Sequence, residues 1–510
     1  MLVSLPTDVL GLIFQLLYDQ WFCDYHPKFR RSRPHFSYER CAEEYLVALS
    51  CSCRQSRAQT LPWIFREVYN WDSSRGRVWP ESLWPYFKIV HIRDYTVQTD
   101  LQPWTRRKLD LSPETVRSLS MMPFLSKATI RLESSIPSDL LHALSQAPSL
   151  LCLEVHQARF DGTFPSTALA FSTLETLLIS TAGFNTMVKQ DDIDPGKQAA
   201  NVASLLTAVS HRLTELAISG DFISCAFTAI KWPQIRRLAI TDHPPTQPTP
   251  VLDLVAKMPQ LRDLQVVYTT GLTHDPSVFP PIQLGDNTRR VLSDSCPLLS
   301  SLTLGNVLSD DLIFAQLPPT LDVLDLRAPV DPYDPDCGFP RGAYFPLDQQ
   351  ITQAALSRMR YLSDLKELCF DLDSFVTAPF IEHIAVVLPH VEILEFDVPR
   401  YVFMSSPRRF DEQNRDPALL VALNRFPRLQ HLRIAMNFPR KYWDPECSRE
   451  VTAKWFLLGV RSLQTVSFAS PKHLWSVGYK IAGWQEWDHG VIHFRVPTPT
   501  PPTRFIPSRS

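Results

Sequence analysis

Glycine is scarce in this sequence, 15 residues among 510, against a usual share of about 7%. A chain so poor in glycine has few places for phosphate-cradling loops, and no G-x-G-x-x-G, Walker, G-x-S-x-G or H-E-x-x-H pattern occurs. The 14 histidines show no local partner pattern for nucleophilic catalysis. A protein with no catalytic residues, cofactor or resident metal is therefore expected. Paired cysteines are missing too: ten are scattered without a C-x-x-C, and no N-x-S/T acceptor appears. Nothing marks an oxidising compartment, so a cytoplasmic or nuclear setting, or both, is expected. No apolar run reaches the roughly 18 residues that a membrane span needs. The apolar stretch from Leu2 to Leu17 is interrupted by Asp8 and has no basic segment before it, unlike a signal peptide. An excess of charge of either sign is also lacking: the formal net charge of -2 gives no global pull toward nucleic acid or membrane.

Proline, by contrast, is abundant, and its placement is regular. An apolar triplet of the form L-x-x-L-x-(L/I/V/F) recurs thirteen times, starting at Phe87, Leu125, Leu150, Leu174, Leu213, Ile235, Leu261, Leu299, Leu321, Leu365, Val391, Leu429 and Leu463. Nine of these carry proline two residues ahead: Pro85, Pro123, Pro148, Pro233, Pro259, Pro297, Pro319, Pro389 and Pro427. Proline cannot continue a helix and biases its predecessor toward extended geometry, so it ends a helix just before a strand. Helical spacing does precede it, as at Asp139 to Gln146, Val251 to Met258, Phe380 to Leu388 and Ala418 to Phe426. A unit of helix, proline turn and short strand cannot bury its own apolar face and must stack on its neighbours. The expected fold is an α/β leucine-rich-repeat solenoid, a horseshoe, over residues 71–496.

Six of the twelve intervals between triplets span 22 to 26 residues and the others 34 to 44, so the long repeats carry insertions. Segments 328–350 and 399–417 are such insertions, rich in proline and aromatics, and loops on a rigid scaffold are places where partners bind. Beyond Pro497 the proline-rich tail, 497–510, reads as disordered.

Residues 1–70 read differently, as helices without the triplet. Ser4 can cap a first helix, Pro6 suits its first turn, and Leu10, Ile13, Phe14 and Leu17 share a face. A second helix is expected from about Glu43 to Gln59. The strings L-P-T-D-V-L-x-x-I-F-x-x-L from Leu5, L-V-A-L-S-C-S-C-R-Q-S-R from Leu46 and L-P-W-I-F-R-E-V from Leu61 resemble an F-box, with an insertion at about 18–41 and Ser56 where the family often has an aromatic. An F-box followed by leucine-rich repeats is similar to the substrate adaptors of Skp-cullin-F-box ubiquitin ligases. That resemblance implies a Skp-type adaptor and a cullin scaffold as partners. It places Leu5, Pro6, Ile13, Phe14, Cys53, Arg54, Ile64 and Phe65 on or beside the adaptor interface. The alternative for this head is a cap over the apolar end of the solenoid, as terminal repeats require.

In the 18–41 insertion, basic residues alternate with aromatics, but a solvated loop is expected there rather than a nucleic-acid site. Cys23, His26, His35, Cys41, Cys51 and Cys53 lack the paired short spacings of a zinc site, and Asp331, Asp334 and Asp336 lack the alternation and closing glutamate of a calcium loop. The residues between the triplet leucines should form the face on which solenoids bind partners. On that face Asp325, Glu367, Asp371, Glu395 and Asp397 are expected to gather as one acidic patch, bordered by Arg327, His431 and Arg433; it reads either as charge on a solvated face or as a docking surface for a basic segment of an unknown target protein. The other functional class left open is a repeat scaffold or inhibitor detached from any ligase.

Overall fold

Each of the thirteen triplets forms a strand, and each strand starts two residues after the leading apolar residue, from Ile89 behind Phe87 to Thr465 behind Leu463. The computed structural model describes residues 54–69, 80–93, 95–99, 102–107, 112–132, 135–156, 159–160, 169–180, 195–223, 225–242, 245, 251–268, 292–305, 312–326, 348–397, 416–435, 445–469, 487–488 and 491–495. The chain divides into two compact units, one of residues 1–261 with 268–270 and one of 262–267 with 271–510.

The first unit holds β1 (Glu67–Tyr69), β2 (Ile89–Arg93), β3 (Tyr95–Thr99), β4 (Gln102–Arg107), β5 (Lys127–Arg131), β6 (Cys152–His156), β7 (Thr176–Ser180), β8 (Glu215–Ser219) and β9 (Arg237–Thr241). Its helices are α1 (Arg54–Ile64), α2 (Pro113–Met121), α3 (Ser138–Ser145), α4 (Pro195–Val209), α5 (Cys225–Ala229) and α6 (Val251–Val255). Strands β1, β2, β5, β6, β7, β8 and β9 pair in that order, all parallel, while β3 and β4 form a separate antiparallel hairpin. The second unit holds β10 (Asp263–Val266), β11 (Ser301–Leu304), β12 (Val323–Leu326), β13 (Glu367–Asp371), β14 (Ile393–Asp397), β15 (His431–Ala435), β16 (Thr465–Ala469), β17 (Trp487–Asp488) and β18 (Val491–Arg495). With them come α7 (Leu292–Ser295), α8 (Gln349–Arg358), α9 (Ala378–Val387), α10 (Pro417–Leu423) and α11 (Pro445–Gly459). Here β10 to β16 run parallel in sequence order, β18 pairs antiparallel with β16, and β17 pairs antiparallel with β18.

The same few interactions recur from repeat to repeat. Helices start at caps legible in the sequence: Ser112 Oγ accepts from the Thr115 N–H at 3.2 Å ahead of Pro113, and the Asp416 carboxylate accepts from the Ala418 N–H at 2.9 Å ahead of Pro417. In each strand the triplet leucines are buried and the residues between them face the other way, as at Leu153 and Val155 beside Cys152, Glu154 and His156. Identical register stacks these leucines in rows: Leu153 on Leu177 on Leu216 on Leu238 in one unit, Leu324 on Leu368 on Leu394 on Leu432 in the other. Helix side chains fill behind them: Phe380 of α9 meets the strand residues Phe370 and Phe396 at centroid distances of 6.0 and 6.2 Å. The residue just after the leading apolar position offers one carbonyl to two N–H groups of the next repeat. Ser126 O accepts from Leu151 and Cys152 at 2.9 and 3.0 Å, and Ser300 O from Asp322 and Val323 at 2.8 and 3.0 Å. Both units are stacks of leucine-rich repeats.

Two details depart from expectation. The helix expected to end near Gln59 continues through Pro62 to Ile64; Pro62 removes one N–H from the helical bonding, and the helix stops two residues after it. The ladder also begins before Phe87. Phe65 leads β1 as Phe87 leads β2, and Arg66 O accepts from Lys88 and Ile89 N–H, both at 2.9 Å, in the same paired way. This strand, within the segment expected to be helical, was hidden because Asn70 stands where the third apolar residue would be and Trp63, not proline, stands two residues ahead of Phe65.

Candidate interaction surfaces

On the face opposite the buried leucines, the second unit presents two residue rows set by register. One runs Ser301, Val323, Glu367, Ile393, His431, Thr465, and the next Thr303, Asp325, Cys369, Glu395, Arg433, Ser467. Adjacent strands lie about 4.8 Å apart, so Asp325 and Glu395 are two strands apart with Cys369 between them, and Glu367 sits between Val323 and Ile393. Asp371 and Asp397 are register partners at the strand ends. Glu395 is not isolated charge: Arg433 Nη1 stands 3.6 Å from its Oε2, with both side chains about four-fifths buried at 22% and 21% exposure. Cys369, on a face expected to be open, is fully buried and its Sγ lies 3.7 Å from Glu367 Oε1. Val323 and Ile393 are half-buried on the same face. The surface is thus mixed, carboxylates interleaved with aliphatics and one arginine, rather than purely acidic. Arg327 and nearly all of 328–350 and 399–417 lie outside the described residues.

The first unit carries a second polar surface that sequence reading passed over. Lys127 Nζ donates to Glu154 Oε1 at 2.7 Å and Thr129 Oγ1 to Oε2 at 3.1 Å, while His156 Nε2 stands 3.9 Å from Oε2. Burial opposes ionisation of Glu154, but the hydrogen bonds and charge of His156 and Lys127 outweigh it and bring the carboxyl down to about 2. Beside it, burial first and the Glu154 charge second push the Cys152 thiol up to about 11. His91 pairs with Glu67 at 2.5 Å, tying β1 to β2, and Arg237 with Glu215 at 2.5 Å. Apart from Glu154 and His156, two positions apart on β6, the partners lie 22 to 27 positions apart in the chain, and only the repeat register brings them together.

Of the residues expected at a Skp-type interface, Leu5, Pro6, Ile13, Phe14 and Cys53 lie outside the described residues, as do the cysteines and histidines weighed as zinc ligands and the aspartates weighed for calcium. Arg54 opens α1, and Ile64 ends it half-buried. Phe65 is half-buried too, its ring 6.3 Å from that of Phe87. The Arg66 guanidinium lies over the Trp63 ring at 5.7 Å. Among the described residues no group of three or more His, Cys, Asp or Glu could hold a metal ion, and no described helix is long and apolar enough to cross a membrane. Ser357 and His383 meet at 3.1 Å between α8 and α9. The hydroxyl donates to Gln353 O at 2.8 Å, and the imidazole Nε2 lies 3.2 Å from that same carbonyl. A carbonyl only accepts, so Nε2 donates there and does not serve as a base toward the serine.

No known family profile and no curated protein matches the chain. Solved structures do resemble it. An internalin, InlF, from Listeria monocytogenes strain 4b F2365 superposes over 76% of this chain and 89% of its own at 11% identity and a TM-score of 0.33. A chain of the mouse RP105/MD-1 complex covers 79% of this chain at 14% identity and a TM-score of 0.38, and one from the Drosophila Toll–Spatzle complex covers 81% at 12% and 0.35. This chain spans 61% and 49% of the latter two. What makes both units leucine-rich repeats is their own register, not these loose superpositions.

Proposed function

We propose that the chain is a substrate-recognition adaptor of a Skp-cullin-F-box ubiquitin ligase, acting in the cytoplasm, the nucleus or both. Its head docks a Skp-type adaptor and a repeat surface captures a target protein. The observation that carries this reading is the passage of α1 into β1 with only Phe65 and Arg66 between them, on a sequence whose first 68 residues resemble an F-box. A partner docked on α1 would lie beside the first repeat, an arrangement that suits an adaptor presenting a target lysine to a charged conjugating enzyme. Catalysis resides in the partner subunits, and this chain contributes proximity.

The target surface in this reading is the face bearing Asp325, Glu367, Asp371, Glu395, Asp397 and Arg433. Carboxylates beside Val323 and Ile393 suit the charged heads and aliphatic stems of a lysine- or arginine-bearing segment. Substituting Asp325, Glu395 and Asp397 by lysine is expected to abolish target capture with the circular dichroism spectrum unchanged; an unaltered set of co-purified proteins would dispose of this site. A second reading, a repeat scaffold or inhibitor outside any ligase, is favoured by the position of Phe65, which stacks in the ladder as a cap residue would. Co-purification with a Skp-type adaptor separates the two. Retention that is lost on replacing Leu5, Ile13 and Phe14 by alanine supports the ligase adaptor, and no retention by the unaltered chain supports the scaffold.

A further inference from the structure

We draw no further inference here: the strongest candidate, the aliphatic stripe that Val386, Val421 and Leu458 leave exposed on α9, α10 and α11 of the second unit, carries nothing because nothing in the structure shows what covers it.

Discussion

Lowering the pH should weaken the first unit through Glu154. Its carboxyl, ordinarily near 4.5, is held at about 2 in the folded chain, so on acidification the unfolded chain takes up that proton first. The stabilisation is complete above the unfolded value and is lost as pH falls through the folded one. Allowing for partial exposure of the group, the loss is about 1–2 kcal/mol. Urea unfolding across this range should show a shallower acid decline in Glu154→Gln than in the parent; parallel curves would refute the assignment. Trp232 makes a different case. Its indole is fully buried with no hydrogen-bond partner for Nε1 among the described residues, and its ring lies 5.1 Å from that of Phe227. Phenylalanine at this position loses some packing but removes the orphaned donor, whose burial alone costs about 1–3 kcal/mol. Trp232→Phe is expected within about 1 kcal/mol of the parent, and Trp232→Ala about 3–5 kcal/mol below it, by thermal unfolding. At Gly459 an added Cβ would stand 2.5 and 2.8 Å from the two methyls of the half-buried Leu420, whose side chain must then move, and the glycine carbonyl accepts from Asn424 Nδ2 at 2.6 Å. Valine there should cost about 1–3 kcal/mol by overpacking α10 against α11.

Among elements, β1 tests what the head is for. If Phe65 belongs to the ladder, Phe65→Ala removes its contact with Phe87 and lowers stability by about 1–2 kcal/mol, less than for a fully buried ring. If instead it is an adaptor contact, the variant keeps its melting temperature and loses adaptor binding. Elements with the full triplet were legible because three apolar positions, and in nine of the thirteen a preceding proline, point to the same strand. β1 was not, because an asparagine replaces the third apolar residue and no proline stands two residues ahead, while the backbone pairing persists. The surfaces were less legible than the strands. Alternation tells which residues face away from the core, so Asp325 and Glu395 could be placed on one face. It does not tell which neighbours neutralise them, and the Arg433 partnership and the burial of Cys369 emerge only from side-chain packing across strands. The Lys127, Glu154 and His156 cluster escaped for the same reason.

At the scale of the whole molecule, each repeat is held chiefly by the ones beside it, so damage is expected to spread along a stack rather than stay local. The second unit ends its parallel ladder with β18 laid antiparallel against β16 and β17 against β18. Deleting residues 487–495 uncovers a row of strand N–H and C=O groups on β16, and the truncated protein should self-associate. Sedimentation or light scattering would register the change, and a monodisperse truncation would argue that β16 is shielded by other means.

The paired grip of one carbonyl on two successive amides bears on how such a chain can change over time. Because each strand is hung from the preceding repeat by its own backbone, its phase does not depend on the length of polypeptide that leads to it. Intervals of 22 and of 44 residues deliver strands in the same register. Connecting segments can therefore lengthen, shorten or be replaced without rewriting the spine, leaving partner preference free to drift while the framework stays constant.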